Sequence, residues 1–189
     1  MKKIILIISL LVLSNVAWAQ KAPEGFCGLK WGSTKEELKK MAPGGHFTDF
    51  GDSISISPKG WMDRETEKSP WDKIGGAWIV HYDFNFYKNK FYWASIKFSK
   101  LDFDTLLRTI SSKYRKPQNT KPLVLKINPN AKVGMEYTWV LEKKVEIMLS
   151  YNEMENIVEN GTLMYIYLPI WNEINTVKDK DVNKAKDKL

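Results

Sequence analysis

The chain has 189 residues, of which 43% are hydrophobic, and its 29 basic and 22 acidic side chains give a net charge of +7. The charges are interspersed and form no dense basic stripe, which argues against nucleic-acid binding. The single cysteine, Cys27, excludes an internal disulfide framework, so a hydrophobic core must stabilise the fold.

Residues 1–19 predict a secretory signal peptide. Two lysines precede an apolar run over residues 4–13, and Ala17-Trp18-Ala19 has the small-x-small pattern of a cleavage site. The run is shorter than the ~20 residues of a membrane span, so we expect a protein that does not span the membrane. We therefore expect cleavage near Ala19 and a periplasmic or secreted protein.

A short helix is predicted within "GSTKEELKKMAPGG". Ser33 and Glu36 have the spacing of a capping box, in which each side chain accepts from the backbone amide of the other residue. Leu38 and Met41 lie on one apolar stripe, and residues 43–45 end the helix after about two turns.

Cys27 lies just before this helix, and burial is its expected state because free cysteine is among the most buried residue types. An exposed thiol and an intermolecular bridge are the alternatives. A nucleophilic thiol needs a base partner, and the chain offers only His46 and His81, neither in a protease motif.

An antiparallel hairpin is the clearest element of the sequence. Two aromatic-rich runs flank a tight turn at Lys88-Asn89. This turn predicts that Phe86 faces Phe91 and that Phe84 faces Trp93, on one strongly apolar face.

A long charged loop is predicted before the hairpin, over residues 58–76. The preceding residues 46–57 predict a strand, because Ile54 and Ile56 alternate with serines. A loop of that length is uncommon in a compact domain and is often functional.

A second helix is predicted from Asp102, its N-cap, to Pro117, with a hydrophobic staple between Leu101 and Leu106. Three further strands are predicted at residues 133–141, 144–151 and 162–168. The order of helix, three strands, helix, three strands predicts an α+β fold with an antiparallel sheet and helices on one face.

We expect one domain over residues 20–171, or two fused halves over 25–100 and 101–171. Residues 172–189 are rich in Lys and Asp and predict a charged flexible tail, either a frayed helix or disordered.

Several motifs together resemble a group of uncharacterised exported bacterial proteins. The resemblance covers "FCGLKWGSTKEEL", "YDFNFYKNKFYWASIKF", "YTWVLEKKVEIMLSY" and "GTLMYIYLP" in order. The helix end at Tyr114-Arg115-Lys116-Pro117 departs from it, because Arg115 stands where the group has glycine. More distantly, the helix-then-sheet unit is similar to β-lactamase-inhibitor-like and outer-membrane assembly lipoprotein modules. That similarity implies binding rather than catalysis, and it assigns no catalytic residue.

Aromatic side chains are the main candidates for a binding surface. We expect four tryptophans in the core: Trp31, Trp78, Trp93 and Trp139. Trp61 and Trp71 lie in the charged loop, where tryptophan can form a binding hot spot or fold back over the sheet. With the hairpin residues Tyr87 and Tyr92, they are the predicted binding residues.

Polar candidates are fewer. His81 and Asp83 share a strand face, but side chains two residues apart on a strand are expected to lie too far apart for a direct bond unless they lean together. The two histidines and one cysteine are scattered, and no phosphate-binding loop is present. We therefore expect no cofactor and no metal.

The expected function is that of an exported non-enzymatic domain that binds an envelope protein or a glycan through its sheet face and the charged loop. One alternative is an envelope-directed hydrolase that uses His81, Asp83 and a loop acid, Asp63 or Asp72. Another is a purely structural subunit. The sequence does not define the oligomeric state.

Overall fold

The computed structural model describes residues 21–41, 46–57, 73–125, 128–152 and 160–186. The predicted signal peptide and most of the predicted charged loop lie outside these ranges. The strands are β1 (Gly25–Phe26), β2 (Leu29–Lys30), β3 (His46–Asp49), β4 (Ser53–Ser57), β5 (Lys73–Ile74), β6 (Ala77–Tyr87), β7 (Lys90–Ser99), β8 (Asn119–Leu125), β9 (Asn128–Leu141), β10 (Val145–Asn152) and β11 (Asn160–Tyr167). The helices are α1 (Lys35–Met41), α2 (Phe103–Tyr114), which follows a 3₁₀ turn at Lys100–Asp102, and α3 (Leu168–Lys186).

The fold is α+β, as predicted, and its centre is one antiparallel sheet. Eight strands form the path β3-β4-β6-β7-β11-β10-β9-β8, and β5 pairs with β6 beside that path. Four strands of the path follow α1 and four follow α2, where the sequence predicted three.

Two local features account for the additional strands. The predicted strand over residues 46–57 is divided by a turn in which Gly51 has a φ of 82°. β8 contains Pro122 and was missed because proline is depleted in strands. The strand lies at the end of the sheet path, and an edge strand tolerates proline because one side of its backbone needs no ladder bonds.

The main core covers one face of the sheet. Alternate side chains of the central strands point into it and are buried, including Tyr82, Phe84, Phe91, Ile96 and Phe98 of the hairpin. Helix α1 contributes Leu38 to this core, and α2 contributes Phe103, Leu106, Ile110 and Tyr114. These helices are held by apolar contacts, since seven- and twelve-residue helices are marginal alone.

The hairpin turn is confirmed, but the register changes two residues beyond it. Lys88 and Asn89 have φ values of 50° and 58°, and Phe86 pairs with Phe91. A bulge follows, so that Phe84 pairs with Ala94 and not, as predicted, with Trp93. One extra residue in β7 moves the later side chains to the opposite face.

Trp78 is exposed, which contradicts its predicted place in the core. Its side chain is 52% exposed, between the buried residues Ala77 and Ile79. The Lys73 ammonium lies 3.9 Å from the centroid of the Trp78 ring, a cation–π contact across the β5–β6 pair.

The start of α2 also differs from the prediction. Leu101 is 93% exposed, so it forms no staple with Leu106. Asp102 makes no side-chain cap bond, and its Oδ2 instead accepts from the Trp78 backbone N–H at 3.0 Å. This bond ties the start of α2 to strand β6.

Helices α1 and α2 both contribute side chains to the main core, whereas α3 does not. Ile166 and Ile174 are buried but do not belong to the main core. Helix α3 contacts β7 and β11, and its Trp171 stacks on Tyr92 with ring centroids 6.3 Å apart. Helix α3 therefore packs on the second face of the sheet.

Helix α3 also continues beyond the predicted domain end at residue 171, because residues 172–186 are helical. Within the described part of the chain, none of the helices combines the length and the apolar character that a membrane crossing requires.

Candidate functional site

The face of the sheet that points away from the main core is here called the open face. Its residues alternate along each strand with buried ones, as Asp83 does between Tyr82 and Phe84. Cross-strand pairing arranges its side chains in rows. The middle row runs through Ser55, Asp83, Ser95, Met164, Met148, Thr138 and Asn119.

Two further rows flank the middle one. The first consists of His81, Lys97, Thr162, Ser150, Glu136 and Lys121. The second consists of Ser53, Asn85, Trp93, Ile166, Glu146 and Val140. Helix α3 contacts the strands that carry Trp93 and Ile166, so the second row is partly covered.

Charged groups lie toward the β8 end of the open face. The Lys121 ammonium is 2.8 Å from the Glu136 carboxylate. Burial and the negative charge of Glu136 raise the pKa of Glu146.

A group of four polar side chains occupies the other end of the open face, and we call it the His81 cluster: Ser55, Ser57, His81 and Asp83. The His81 Nε2 lies 2.9 Å from the Asp83 Oδ1, and Ser55 donates to the same Oδ1. The Ser57 Oγ lies 3.5 Å from the His81 Nδ1. His81 and Asp83 therefore lean together, the one case in which the sequence allowed a direct bond between them.

A register irregularity explains this contact. Ile79 pairs with Phe98 and His81 pairs with Lys97, so β6 has one more residue than β7 between these two pairs. His81 follows this distorted part of β6, and its ring leans along the strand toward Asp83. A regular strand would hold two side chains on one face about 7 Å apart.

The contacts of His81 define its neutral tautomer. A carboxylate only accepts hydrogen bonds, so the ring nitrogen beside Asp83 carries the proton. The lone pair then lies on Nδ1, which faces the Ser57 hydroxyl. A base oriented by a carboxylate and directed at a hydroxyl is the arrangement that activates serine nucleophiles.

Two of the four predicted binding residues, Tyr87 and Tyr92, lie within the described ranges. Trp61 and Trp71, like the loop acids Asp63 and Asp72, lie outside the described residues. Tyr87 is half-buried at the hairpin tip, with the Lys88 ammonium 4.9 Å from its ring centroid.

Tyr92 lies in the hairpin bulge and stacks on Trp171 of α3. Burial, with a smaller effect from Asp52, raises the pKa of the Tyr92 hydroxyl. Tyr92 therefore contributes to helix packing as well as to the surface.

Sequence reasoning missed Ser57, Lys97, Met148 and Met164. The alternation of serines with Ile54 and Ile56 did indicate a polar face on β4. The rows across the sheet depend on strand order and on bulges, neither of which a single sequence displays.

Cys27 has a structural position beside the main core. It occupies a turn between β1 and β2 with a φ of 49°, followed by Gly28 at 84°. Its thiol is free and packs against the main core, and burial raises its pKa to about 12. A thiol with that pKa is a poor nucleophile at neutral pH.

The four tryptophans predicted in the core have different environments. Trp139 is fully buried, and Trp31 packs at the core margin between Phe91 and Tyr167. Trp93 is half-buried on the open face, and its Nε1 has no hydrogen-bond partner among the described residues.

No group of three or more His, Cys, Asp or Glu side chains in the described ranges is placed to hold a metal ion.

Comparison with known proteins assigns no family. No protein-family model matches the chain, and no curated protein and no solved structure shows a significant similarity to it.

Proposed function

We propose that the protein is an exported domain that binds an envelope protein through the open face. The observation that supports this proposal is the extent of that face, which continues across eight paired strands. At a spacing of about 4.8 Å, eight strands span roughly 34 Å. The middle and first rows, which lie outside the partly covered second row, occupy about 14 Å in the other direction. The free part of the face therefore offers roughly 480 Å², less than the ~800 Å² that each partner buries in a standard interface and in the range of small, transient interfaces.

The side chains of the open face fit a protein partner better than a glycan. Met148 and Met164 pair at its centre, and thioether side chains adapt to varied apolar surfaces. Serine and threonine side chains surround them and supply adaptable hydrogen bonds. Trp93, which could stack on a sugar ring, is half-buried and belongs to β7, one of the strands that α3 contacts.

A pull-down from envelope extract tests this proposal. We expect the wild-type protein to capture a partner that the double variant Met148→Lys/Met164→Lys does not, because two buried charges would disrupt the centre of the interface. The matched control is Val177→Lys/Val182→Lys, which adds the same charge on exposed positions of α3. If the Met148→Lys/Met164→Lys variant captures the partner as well as the wild type and the control do, with an unchanged melting temperature, binding through the open face is refuted.

A third variant, Trp61→Ala/Trp71→Ala, tests the predicted charged loop separately. If the loop contributes to binding, this variant captures less of the same partner. Unchanged capture removes the loop from the interface and leaves the open face in place. A carbohydrate recovered in place of a protein would favour the glycan alternative.

An envelope-directed hydrolase is the second candidate function. The 2.9 Å contact between His81 and Asp83 favours it, because an oriented imidazole is the commonest general base. Its test is ester and amide hydrolysis by the wild-type protein and by His81→Ala. Equal background rates for both proteins would exclude this function.

A further inference from the structure

We propose that Ser57 is a nucleophile for carboxylic esters, with His81 as its general base and Asp83 as a positioning residue. This inference rests on the hydrolase candidate. It adds a covalent mechanism, a nucleophile that the sequence did not indicate, and a substrate class.

The geometry of the His81 cluster carries the inference. Ser57 Oγ, His81 and Asp83 form one chain of contacts at 3.5 Å and 2.9 Å. The first distance is at the long limit of a hydrogen bond, and nucleophile–base contacts are often long before substrate binds. Ser55 donates to Asp83 and so fixes the carboxylate that orients the ring.

The cluster is accessible to a substrate. Ser57 is exposed at the end of β4, and the side chains of His81 and Asp83 are 26% and 31% exposed. Lys97 is also exposed and pairs directly with His81 in the adjacent strand. Its ammonium places positive charge in the same row, where it can stabilise an oxyanion electrostatically.

The reaction proceeds in two balanced steps. The Ser57 Oγ attacks the ester carbonyl carbon and gives its proton to the His81 Nδ1. The tetrahedral adduct then expels the alcohol, which takes up that proton, and the acyl group remains on Ser57. Water attacks the acyl carbon, its proton passes through His81 back to Ser57, and the carboxylic acid is released.

A fluorophosphonate probe tests the nucleophile directly, because its phosphorus is attacked by activated serine hydroxyls with loss of fluoride. We expect one probe per chain, attached to Ser57 in a peptide digest analysed by mass spectrometry. His81→Ala should label at least about 100-fold more slowly, the lower end of general-base catalysis. Asp83→Asn should also label more slowly and show a changed pH profile, because it alters the orientation of the base.

Ser112→Ala is the control, since Ser112 is an exposed serine on α2, away from the open face and the cluster. It should label like the wild type, whereas Ser57→Ala should not label. Ser57 is exposed, so its replacement should leave the melting temperature unchanged. Absence of labelling in the wild type, or equal labelling of Ser57→Ala, would overturn the inference.

Turnover of p-nitrophenyl acetate separates this inference from the hydrolase candidate. Hydrolysis that is lost in His81→Ala but retained in Ser57→Ala supports a hydrolase with water as nucleophile and refutes the role of Ser57. Hydrolysis that is lost in both variants, with an acyl group trapped on Ser57 of the wild type, supports both. Equal background rates in all variants refute hydrolysis.

Discussion

Two tryptophans show how the polar atom of an aromatic residue decides its role. Trp139 is fully buried, and its Nε1 donates to the Arg115 carbonyl at 3.0 Å. That bond satisfies the backbone where α2 ends and Arg115 adopts a φ of 62°. Trp139 thus contacts a helix end at which a non-glycine residue, Arg115, has a positive φ.

Replacing each tryptophan by phenylalanine should therefore give different results. We expect Trp139→Phe to lower the free energy of unfolding by about 1–3 kcal/mol, because the Arg115 carbonyl loses its buried partner and a cavity remains. Trp93→Phe removes a donor that has no partner in the described structure, so its cost should stay below about 1 kcal/mol. Urea denaturation of both variants measures the difference, and a larger loss for Trp93→Phe would contradict this assignment.

The Cys27 thiol should react slowly in the folded protein. Its pKa is raised from 9.0 to about 12 by burial, so at pH 8 the thiolate fraction falls roughly 10³-fold relative to an exposed cysteine. The unfolded chain loses the proton near pH 9 and the folded chain does not, so stability should decrease as the pH rises above 9. Iodoacetamide labelling at pH 8, with and without denaturant, checks the first point, and rapid labelling of the native protein would refute it.

At the scale of elements, the sequence predicted the existence of helix α1, but it did not predict which residues form its capping hydrogen bonds. The capping box of α1 is present one residue later than predicted. The Thr34 backbone N–H donates to the Glu37 carboxylate at 2.7 Å, and the Thr34 hydroxyl accepts from the Glu37 amide at 3.3 Å. Ser33 instead uses its backbone, donating to Lys30 and accepting from Phe91.

Tertiary contacts explain this shift. The segment Ser33-Thr34-Lys35-Glu36-Glu37 contains two overlapping capping-box patterns, one formed by Ser33 and Glu36 and one by Thr34 and Glu37. The Ser33 N–H donates to the Lys30 carbonyl and is therefore not available to the Glu36 carboxylate, and the Ser33 carbonyl accepts from Phe91 of β7. A local pattern gives no information about that contact, since Ser33 and Phe91 are far apart in sequence.

Alanine substitutions at the two candidate caps should distinguish them. Thr34→Ala should lower the free energy of unfolding by about 0.5–2 kcal/mol, the usual effect of losing an N-cap hydroxyl. Ser33→Ala should cost less than about 0.5 kcal/mol, because its backbone bonds remain. Thermal or chemical denaturation measures both, and the reverse order would restore the capping box predicted from the sequence.

The hairpin shows the same limit. Lys88-Asn89 identified its turn, because a two-residue loop with positive φ values suits asparagine. The bulge beyond the turn was not predictable, because Tyr92 and Trp93 are both large aromatics and either can occupy the core face. Packing of Trp171 on Tyr92 is one of the long-range contacts associated with the observed register.

At the scale of the whole molecule, the sheet creates the surfaces to which we assign function. Strands β7 and β11 pair at its centre and join the strands that follow α1 to those that follow α2. The main core and helices α1 and α2 occupy one face, and α3 covers part of the other. Sequence periodicity predicted the buried face well, because buried apolar residues alternate along each strand.

The open face was not predictable in this way. Met148 and Met164 are far apart in sequence, and only the pairing of β10 with β11 brings them opposite each other. The His81 cluster likewise depends on the pairing of β4 with β6. Serine, histidine and aspartate are common residues, so their presence alone does not indicate a site. Their relative positions in the folded sheet do.

Site-specific photo-crosslinking in the source cells tests the central claim most directly. A photoreactive phenylalanine analogue at Met148 or at Ser95 on the open face should yield a defined adduct with one envelope protein. The same analogue at Val182, exposed on α3, should yield none. Adducts from Val182 alone, or no adduct from either open-face position in a folded protein, would contradict binding through this face.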